Sequence, residues 1–188
     1  MATVRDGTKS VLVIVDVQVA VMQEAWDSAH IISNVVTAVN QARANGVPVI
    51  WIQHSDDDLL VGSPEWKLTP EVVPNPDEAV IKKSFASSFE DTDLEKTLTQ
   101  LQASHIVLAG AATNFCIRST AYGALDRGYD LTLVSDAHTT GTMELGDKTI
   151  NAEHIIAELN TTISWIKYPG RTNKAVPTRE IDFAELES

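Results

Sequence analysis

The chain has 188 residues, of which 44% are hydrophobic and 21% are charged, as is typical of one globular domain with a sizeable core. The formal net charge of −12 argues against a nucleic-acid partner, and the single cysteine excludes an intrachain disulfide. No apolar run approaches the ~20 residues that span a bilayer, and the polar start lacks the apolar core of a signal peptide, so we expect a cytoplasmic protein without membrane partners.

Apolar strands and helices alternate along the chain. In chain order the patterns predict a strand at 11–15, a helix from about 28 to a stop at 45–46, strands at 47–52 and 79–81, a helix at 91–102, a strand at 105–109, a helix from 116 to about 127, a strand at 129–134, a helix at 151–159 and a last strand at 162–166. This alternation predicts an α/β fold in which a mainly parallel sheet carries helices on both faces. Because neither a repeat nor a linker divides the chain, residues 1–188 are predicted to form a single domain.

Two segments lie outside this alternation. Residues 55–78 contain four prolines and three consecutive aspartates, which predicts a long surface loop of the kind that often covers a site. The tail after Pro169 is polar, but Ile181 and Phe183 could dock on the body of the protein or on a neighbouring molecule.

Three polar or reactive side chains follow predicted strands. Asp16 ends the first strand, Lys83 lies just past the third, and Cys116 follows the fourth. Ligands of parallel sheets bind at the carboxyl ends of the strands, so we expect these three side chains to meet there. Their convergence is the main sequence argument for an active site.

Cys116 lies where an apolar strand gives way to a helix. The unpaired N–H groups of a helix N-terminus carry partial positive charge and favour the thiolate, which is the nucleophilic form of cysteine. The alternative is a buried cysteine that acts as a small apolar residue, which is the commoner role.

Asp16 and two adjacent lysines supply complementary chemistry. Five apolar residues precede Asp16, so its carboxylate is expected to be partly desolvated, which raises the pKa unless a cation or hydrogen-bond donors compensate. Such a carboxylate could take the proton of the thiol and later return it to a leaving group. The alternative role for Asp16 is to cap a neighbouring loop. Either Lys82 or Lys83 could supply the cation, and the residue types leave this choice open.

The turn Gly110-Ala111-Ala112-Thr113 consists of small residues. Backbone N–H groups in such a turn could stabilise a developing oxyanion, and each donor of this kind contributes ~3 kcal/mol. Small residues at a tight strand–helix junction also occur without any function, so the turn by itself does not indicate catalysis.

Together these motifs resemble those of the isochorismatase-like family of cysteine hydrolases. Its members carry an Asp after a first hydrophobic strand, a Lys in a V-I-x-K segment before S/A-F…T-x-L, and a Cys in G-x-x-T-x-x-C-[VI]-x-x-T. The resemblance spans about residues 10 to 160. The matching segments are Val13-Ile14-Val15-Asp16-Val17-Gln18, Val80-Ile81-Lys82-Lys83, Ser88-Phe89-Glu90-Asp91-Thr92-Asp93-Leu94, Gly110-Ala111-Ala112-Thr113-Asn114-Phe115-Cys116-Ile117-Arg118-Ser119-Thr120, Gly128-Tyr129 and Asp136-Ala137.

The resemblance implies a three-layer α/β/α, Rossmann-like fold with a six-stranded sheet, usually in a homodimer or homotetramer. It implies Asp16, Lys83 and Cys116 as a catalytic triad, with Lys83 rather than Lys82 at the lysine of the motif. It also implies a cis peptide bond between Ala111 and Ala112, and an oxyanion hole at the backbone N–H groups of Ala112 and Cys116. The implied reaction is hydrolysis of a small amide, carbamoyl or ureido C–N bond through a thioester on Cys116, without a cofactor.

Members of this family differ in substrate. Its nicotinamidases hold a divalent metal through Asp-x-His and a further His after the second strand, whereas here only His54 occurs in that region, followed by aspartates, so no metal is predicted. Its vinyl-ether hydrolases often lack the cysteine. Ether hydrolysis by Asp16 and metabolite binding without catalysis are the alternative functions.

Six side chains are candidates for contact with a small-molecule substrate, and packing or capping is the alternative role for several of them. They are Gln18, Trp26, His54, Trp66, Phe115 and His138.

Overall fold

The computed structural model describes residues 2–183. Six strands form one sheet in the order β3-β2-β1-β4-β5-β8, and every neighbouring pair is parallel. Helices cover both faces of this sheet. The predicted α/β fold with a six-stranded parallel sheet is therefore confirmed.

The elements largely follow the predicted alternation. The strands are β1 (Lys9–Val15), β2 (Val49–His54), β3 (Ala79–Lys83), β4 (Ala103–Ala111), β5 (Asp130–Thr139), β6 (Met143–Leu145), β7 (Lys148–Ile150) and β8 (Asn173–Val176). The α-helices are α1 (Val19–Gln23), α2 (Ser28–Ala44), α3 (Leu94–Gln100), α4 (Arg118–Asp126) and α5 (Ala152–Trp165), with a π-helical turn at Thr113–Ile117 and a 3₁₀ turn at Thr178–Glu180.

Side chains of β1 divide between two apolar cores. Val11, Val13 and Val15 pack on the face that α3, α4 and α5 cover, whereas Leu12 and Ile14 pack on the face that α2 covers. Successive residues of a strand point to opposite faces, so a strand buried on both sides has an uninterrupted apolar sequence. This is why the run from Val11 to Val15 indicates a central strand.

The predicted strand at 162–166 is wrong, because α5 continues through this segment to Trp165. In a strand, Ile163 and Trp165 would share a face, but Ile163 is fully buried and Trp165 is 77% exposed. Ile163 instead continues the apolar stripe of α5, and the side-chain amide of Asn173 donates hydrogen bonds to the carbonyls of Ile163 and Ile166 at the end of the helix. The sixth strand of the sheet is β8, which lies further along the chain.

The tail folds back onto the body of the protein. The side chain of Asp136 accepts hydrogen bonds of 2.7 Å from both the backbone N–H and the hydroxyl of Thr178. Phe183 is 2% exposed and packs in the apolar core that includes α2. Phe183 therefore packs against the body of its own chain, which is one of the two predicted alternatives.

Candidate active site

The sheet order reverses direction between β1 and β4, which are neighbours at its centre. At such a switch point the connections after the two strands diverge, and the crevice between them is where α/β proteins bind ligands. Asp16 follows β1 directly, and the π-helical turn that contains Cys116 follows β4. The topology therefore brings these two residues to one crevice.

Lys83 reaches this crevice from two strands away, because β2 lies between β3 and β1. Its Nζ atom lies 2.8 Å from Oδ2 of Asp16 and 3.1 Å from Sγ of Cys116. The side chains of Lys83 and Asp16 are 0% and 2% exposed. Lys82 is exposed instead, and its Nζ lies 5.5 Å from the centre of the Trp66 ring. The structure thus assembles a buried ion pair against a thiol.

The carboxylate of Asp16 is placed to accept a proton. Burial raises its pKa, and the ammonium of Lys83 acts against this rise by charge and by hydrogen bonding. Among the described residues, Oδ1 of Asp16 is buried and has no hydrogen-bond partner. Asp16 and the Cys116 thiol interact by charge and by a side-chain hydrogen bond, and each alters the pKa of the other, so the carboxylate lies close to a proton donor.

The expectation that the position of Cys116 favours its thiolate is wrong for the resting site. Burial raises the pKa of the Cys116 thiol to about 11, and the negative charge of Asp16 adds to this effect while Lys83 opposes it. Cys116 also lies in the π-helical turn that precedes α4 rather than at the start of that helix. The resting site therefore favours the thiol form of Cys116.

The turn after β4 is tightly constrained. The peptide bond between Ala111 and Ala112 is cis. The carbonyl of Ala112 accepts hydrogen bonds of 3.1 Å from the N–H groups of both Phe115 and Ile117, which closes the π-helical turn. Ala112 and Cys116, the two residues expected to provide an oxyanion hole, thus belong to one compact turn.

Gly110 allows β4 to lie unusually close to β1 at this point. Its φ is +121°, and a Cβ atom on it would lie 1.9 Å from the carbonyl oxygen of Val15, the residue before Asp16. A side chain at this position would therefore collide with the backbone of β1. Only glycine brings the ends of the two strands this close together.

Gln18, His54 and Trp66 are joined by hydrogen bonds beside the triad. The buried amide of Gln18 accepts from the N–H of His54 at 2.8 Å and donates to the carbonyls of His54 at 3.0 Å and of Trp66 at 2.7 Å. Nδ1 of His54 lies 3.3 Å from Nζ of Lys83. Of the six candidates for substrate contact, His54 is the one with a hydrogen bond to a triad side chain.

Trp26, Phe115 and His138 occupy different surroundings. Trp26 is 40% exposed and lines a cavity of ≈ 380 Å³ beside α2 and α5. Phe115 is 55% exposed and directly precedes Cys116. His138 is fully buried, with Nδ1 2.9 Å from Oγ1 of Thr113 and Nε2 2.9 Å from Oδ1 of Asn160. These contacts favour packing over substrate contact for His138.

Two buried histidines make the stability depend on pH. Burial lowers the pKa values of His105 and His138 from 6.5 to about 4. Between pH 4 and pH 6.5 these two histidines bind protons in the unfolded chain but not in the folded chain. The contribution of the two neutral rings to the free energy of unfolding is therefore complete above pH 6.5 and decreases as the pH falls towards 4. We expect the free energy of unfolding to fall by roughly 3 kcal/mol for each histidine over this range.

Urea unfolding at about pH 7 and about pH 4.5 measures this loss. The control is His105→Asn, which removes the ring that bonds Ser10 and Thr132 and is expected to reduce the pH dependence by about half. A free energy of unfolding that stays constant between the two pH values would contradict the prediction.

Sequence reasoning missed two groups at the site. The backbone carbonyl of Phe85 lies 3.2 Å from Nζ of Lys83, and a carbonyl acceptor has no sequence signal. Asp56 lies with its Oδ2 3.0 Å from Nε2 of His54, whereas the sequence predicts a surface loop without a metal at this aspartate. Among residues 2–183, no group of three or more His, Cys, Asp or Glu side chains is placed to hold a metal ion. No helix in the same range is long and apolar enough to cross a membrane.

Solved structures share this fold. A cysteine hydrolase from Pseudomonas syringae superimposes with a TM-score of 0.83 at 22% identity, covering 96% of this chain and 93% of its own. An isochorismatase from Pseudomonas putida superimposes with a TM-score of 0.83 at 23% identity, covering 93% and 91% of the two chains. At this level of identity the likeness concerns the fold.

Sequence relatives include proteins of named activity. Streptothricin hydrolase from Streptomyces noursei is 32% identical over 69% of this chain, which spans only 54% of that relative. Ureidoacrylate amidohydrolase RutB from Methylobacterium radiotolerans is 26% identical, covering 96% of this chain and 85% of the relative. The family model for the isochorismatase domain matches residues 10–164. This chain therefore belongs to the isochorismatase family.

Proposed function

We propose that the protein is a cysteine-dependent hydrolase that cleaves the C–N bond of a small amide, carbamoyl or ureido compound. The observation that carries this proposal is the contact of the Lys83 ammonium with both Asp16 and Cys116 in a buried site. The buried carboxylate provides a base and the thiol provides a nucleophile. Named relatives that hydrolyse streptothricin and ureidoacrylate are consistent with this class of substrate.

The proposed reaction begins with proton transfer from Cys116 to Asp16. The sulfur attacks the carbonyl carbon, and the oxygen takes the electron pair of the C=O bond while the N–H groups of Ala112 and Cys116 stabilise its charge. As the C=O bond re-forms, the C–N bond breaks and the leaving nitrogen takes the proton from Asp16. Lys83 keeps its charge and holds Asp16 in place.

Hydrolysis of the resulting thioester completes the cycle. Asp16 takes a proton from water as the water oxygen attacks the thioester carbonyl, and the C–S bond then breaks. The sulfur recovers a proton from Asp16, which restores the thiol and the carboxylate. The products are a carboxylic or carbamic acid and an amine or ammonia, and no cofactor takes part. The homodimer or homotetramer that the family resemblance implies stays a prediction.

A panel of small amides, carbamoyl and ureido compounds tests the proposed function by release of ammonia or amine. The mass of the intact protein, measured after acid quenching, is expected to show an acyl group on Cys116. Prior alkylation with iodoacetamide is the control, because this chain has a single cysteine and the reagent blocks it. Turnover that survives complete alkylation would contradict the covalent mechanism and would favour direct hydrolysis by water with Asp16 as the base.

A further inference from the structure

The ammonium of Lys83 has more acceptors than hydrogens. Its Nζ lies 2.8 Å from Oδ2 of Asp16, 3.1 Å from Sγ of Cys116, 3.2 Å from the carbonyl oxygen of Phe85 and 3.3 Å from Nδ1 of His54. An ammonium group has three hydrogens, so these four acceptors compete for them. The direction in which the Lys83 ammonium points its hydrogens therefore depends on whether Nδ1 of His54 accepts one of them.

Asp56 determines which nitrogen of His54 can accept. Oδ2 of Asp56 lies 3.0 Å from Nε2 of His54, and a carboxylate acts only as an acceptor, so Nε2 carries the hydrogen. In the neutral ring, Nδ1 is then the unprotonated nitrogen, and it faces Lys83. Oδ1 of Asp56 accepts the N–H groups of Asp58 at 3.0 Å and Leu59 at 2.8 Å, which fixes this carboxylate.

The position of His54 is fixed by the fold as well. His54 is paired with Lys83 in the register of β2 and β3. The two backbone hydrogen bonds from the buried side chain of Gln18 hold its main chain. His54 is thus held between a buried cation and a carboxylate that is 49% exposed.

We infer that His54, fixed by Asp56, is a positioning residue that directs the Lys83 ammonium towards Asp16 and Cys116, and that it does so only as a neutral imidazole. This role rests on the proposed function of the triad. A protonated His54 would present an N–H group to the Lys83 ammonium, so two donors of like charge would face each other.

Protonation of His54 also weakens the base. A positive charge on His54 lowers the pKa of Asp16, so Asp16 takes the thiol proton less readily. The charged groups that face His54 are Asp56 in the loop after β2, Lys83 on β3 and Asp16 after β1.

The labelling of Cys116 by iodoacetamide, measured by mass spectrometry between about pH 5 and pH 8, tests this role in the range where imidazoles change charge. If Asp16 takes the thiol proton, the wild-type rate reaches a plateau at high pH and is on the order of fivefold lower at the acid end. In His54→Asn, whose amide can accept a hydrogen bond but does not titrate in this range, the fall in rate at the acid end is expected to be at least about twofold smaller than in wild type, and protonation of Asp16, whose pKa burial raises, accounts for what remains. His154→Asn, at an exposed position of α5, is the matched control and should behave as wild type.

Nitrogen NMR of the histidine rings gives a second readout that does not depend on reactivity. Burial lowers the pKa values of His105 and His138 to about 4, so both of these rings are mostly neutral above pH 5. The signal that His54→Asn removes is expected to show the hydrogen on Nε2. Asp56→Asn should weaken this preference for Nε2, because an amide can donate as well as accept, whereas Asp57→Asn should leave it unchanged.

The outcomes separate this inference from the proposed function. Labelling profiles of wild type and His54→Asn that superimpose, or a His54 ring with its hydrogen on Nδ1, would overturn the role of His54 alone. A rate that rises tenfold per pH unit throughout, in both proteins, would mean that free thiolate reacts without Asp16, which contradicts the proposed mechanism instead.

Discussion

Replacing Cys116 with alanine is expected to lower the rate of C–N hydrolysis by at least about 10⁴-fold, because no other group can form the thioester. Asp16→Asn is expected to lower the same rate by about 10³-fold, since the resting thiol then lacks its base. The measurement is release of ammonia or amine from a compound that the substrate panel identifies. Neither substitution removes a backbone N–H group of the turn after β4.

Folding controls separate chemistry from stability in these variants. Cys116 is partly exposed, so its alanine variant should keep the free energy of unfolding within about 2 kcal/mol of wild type. A Cys116→Ala protein that retains turnover while Asp16→Asn loses it would contradict the covalent mechanism. That pattern would assign the chemistry to Asp16 alone.

The second large effect is on folding, at Gly110. Gly110→Ala is expected to lower the free energy of unfolding by more than about 4 kcal/mol, because the new Cβ would lie 1.9 Å from the carbonyl oxygen of Val15 and neither strand backbone can move away. Both strands lie at the centre of the sheet. Urea unfolding of the variant measures the loss, and failure to recover folded protein is the extreme form of the same result.

Gly46→Ala is the matched control for this substitution. Gly46 also has a positive φ, +71°, but nothing lies within 4 Å of a Cβ atom built there. Its substitution should therefore cost only about 1 kcal/mol of backbone strain. If the two variants lost equal stability, the close approach of β4 to β1 would not be the cause.

The parts of the fold that rest on continuous apolar runs could be predicted from sequence. The run from Val11 to Val15 is buried on both faces, and this property alone indicates a central strand and places Asp16 at its end. The hairpin of β6 and β7 and the edge strand β8 are largely exposed or half-exposed, so they lack this signal.

The candidate site was only partly accessible to sequence reasoning, for physical reasons. Residue types and the family motif identified Asp16, Lys83 and Cys116, which the structure brings into contact. The protonation state of Cys116 depends on burial and on its distance from Asp16, and neither quantity is encoded locally. The link from Lys83 to His54 arises because β2 lies between β3 and β1, which is a property of strand order.

The position of β3 in the sheet affects how local unfolding could disrupt the candidate site. β3 is at the edge of the described sheet and pairs with β2 alone, so its backbone can open without disrupting the central strands. Lys83 would leave with it, and a buried carboxylate at the centre of the protein would lose its counter-ion. The ion pair therefore links an edge strand to the core. The energetic penalty of an unpaired, buried Asp16 opposes local unfolding of β3.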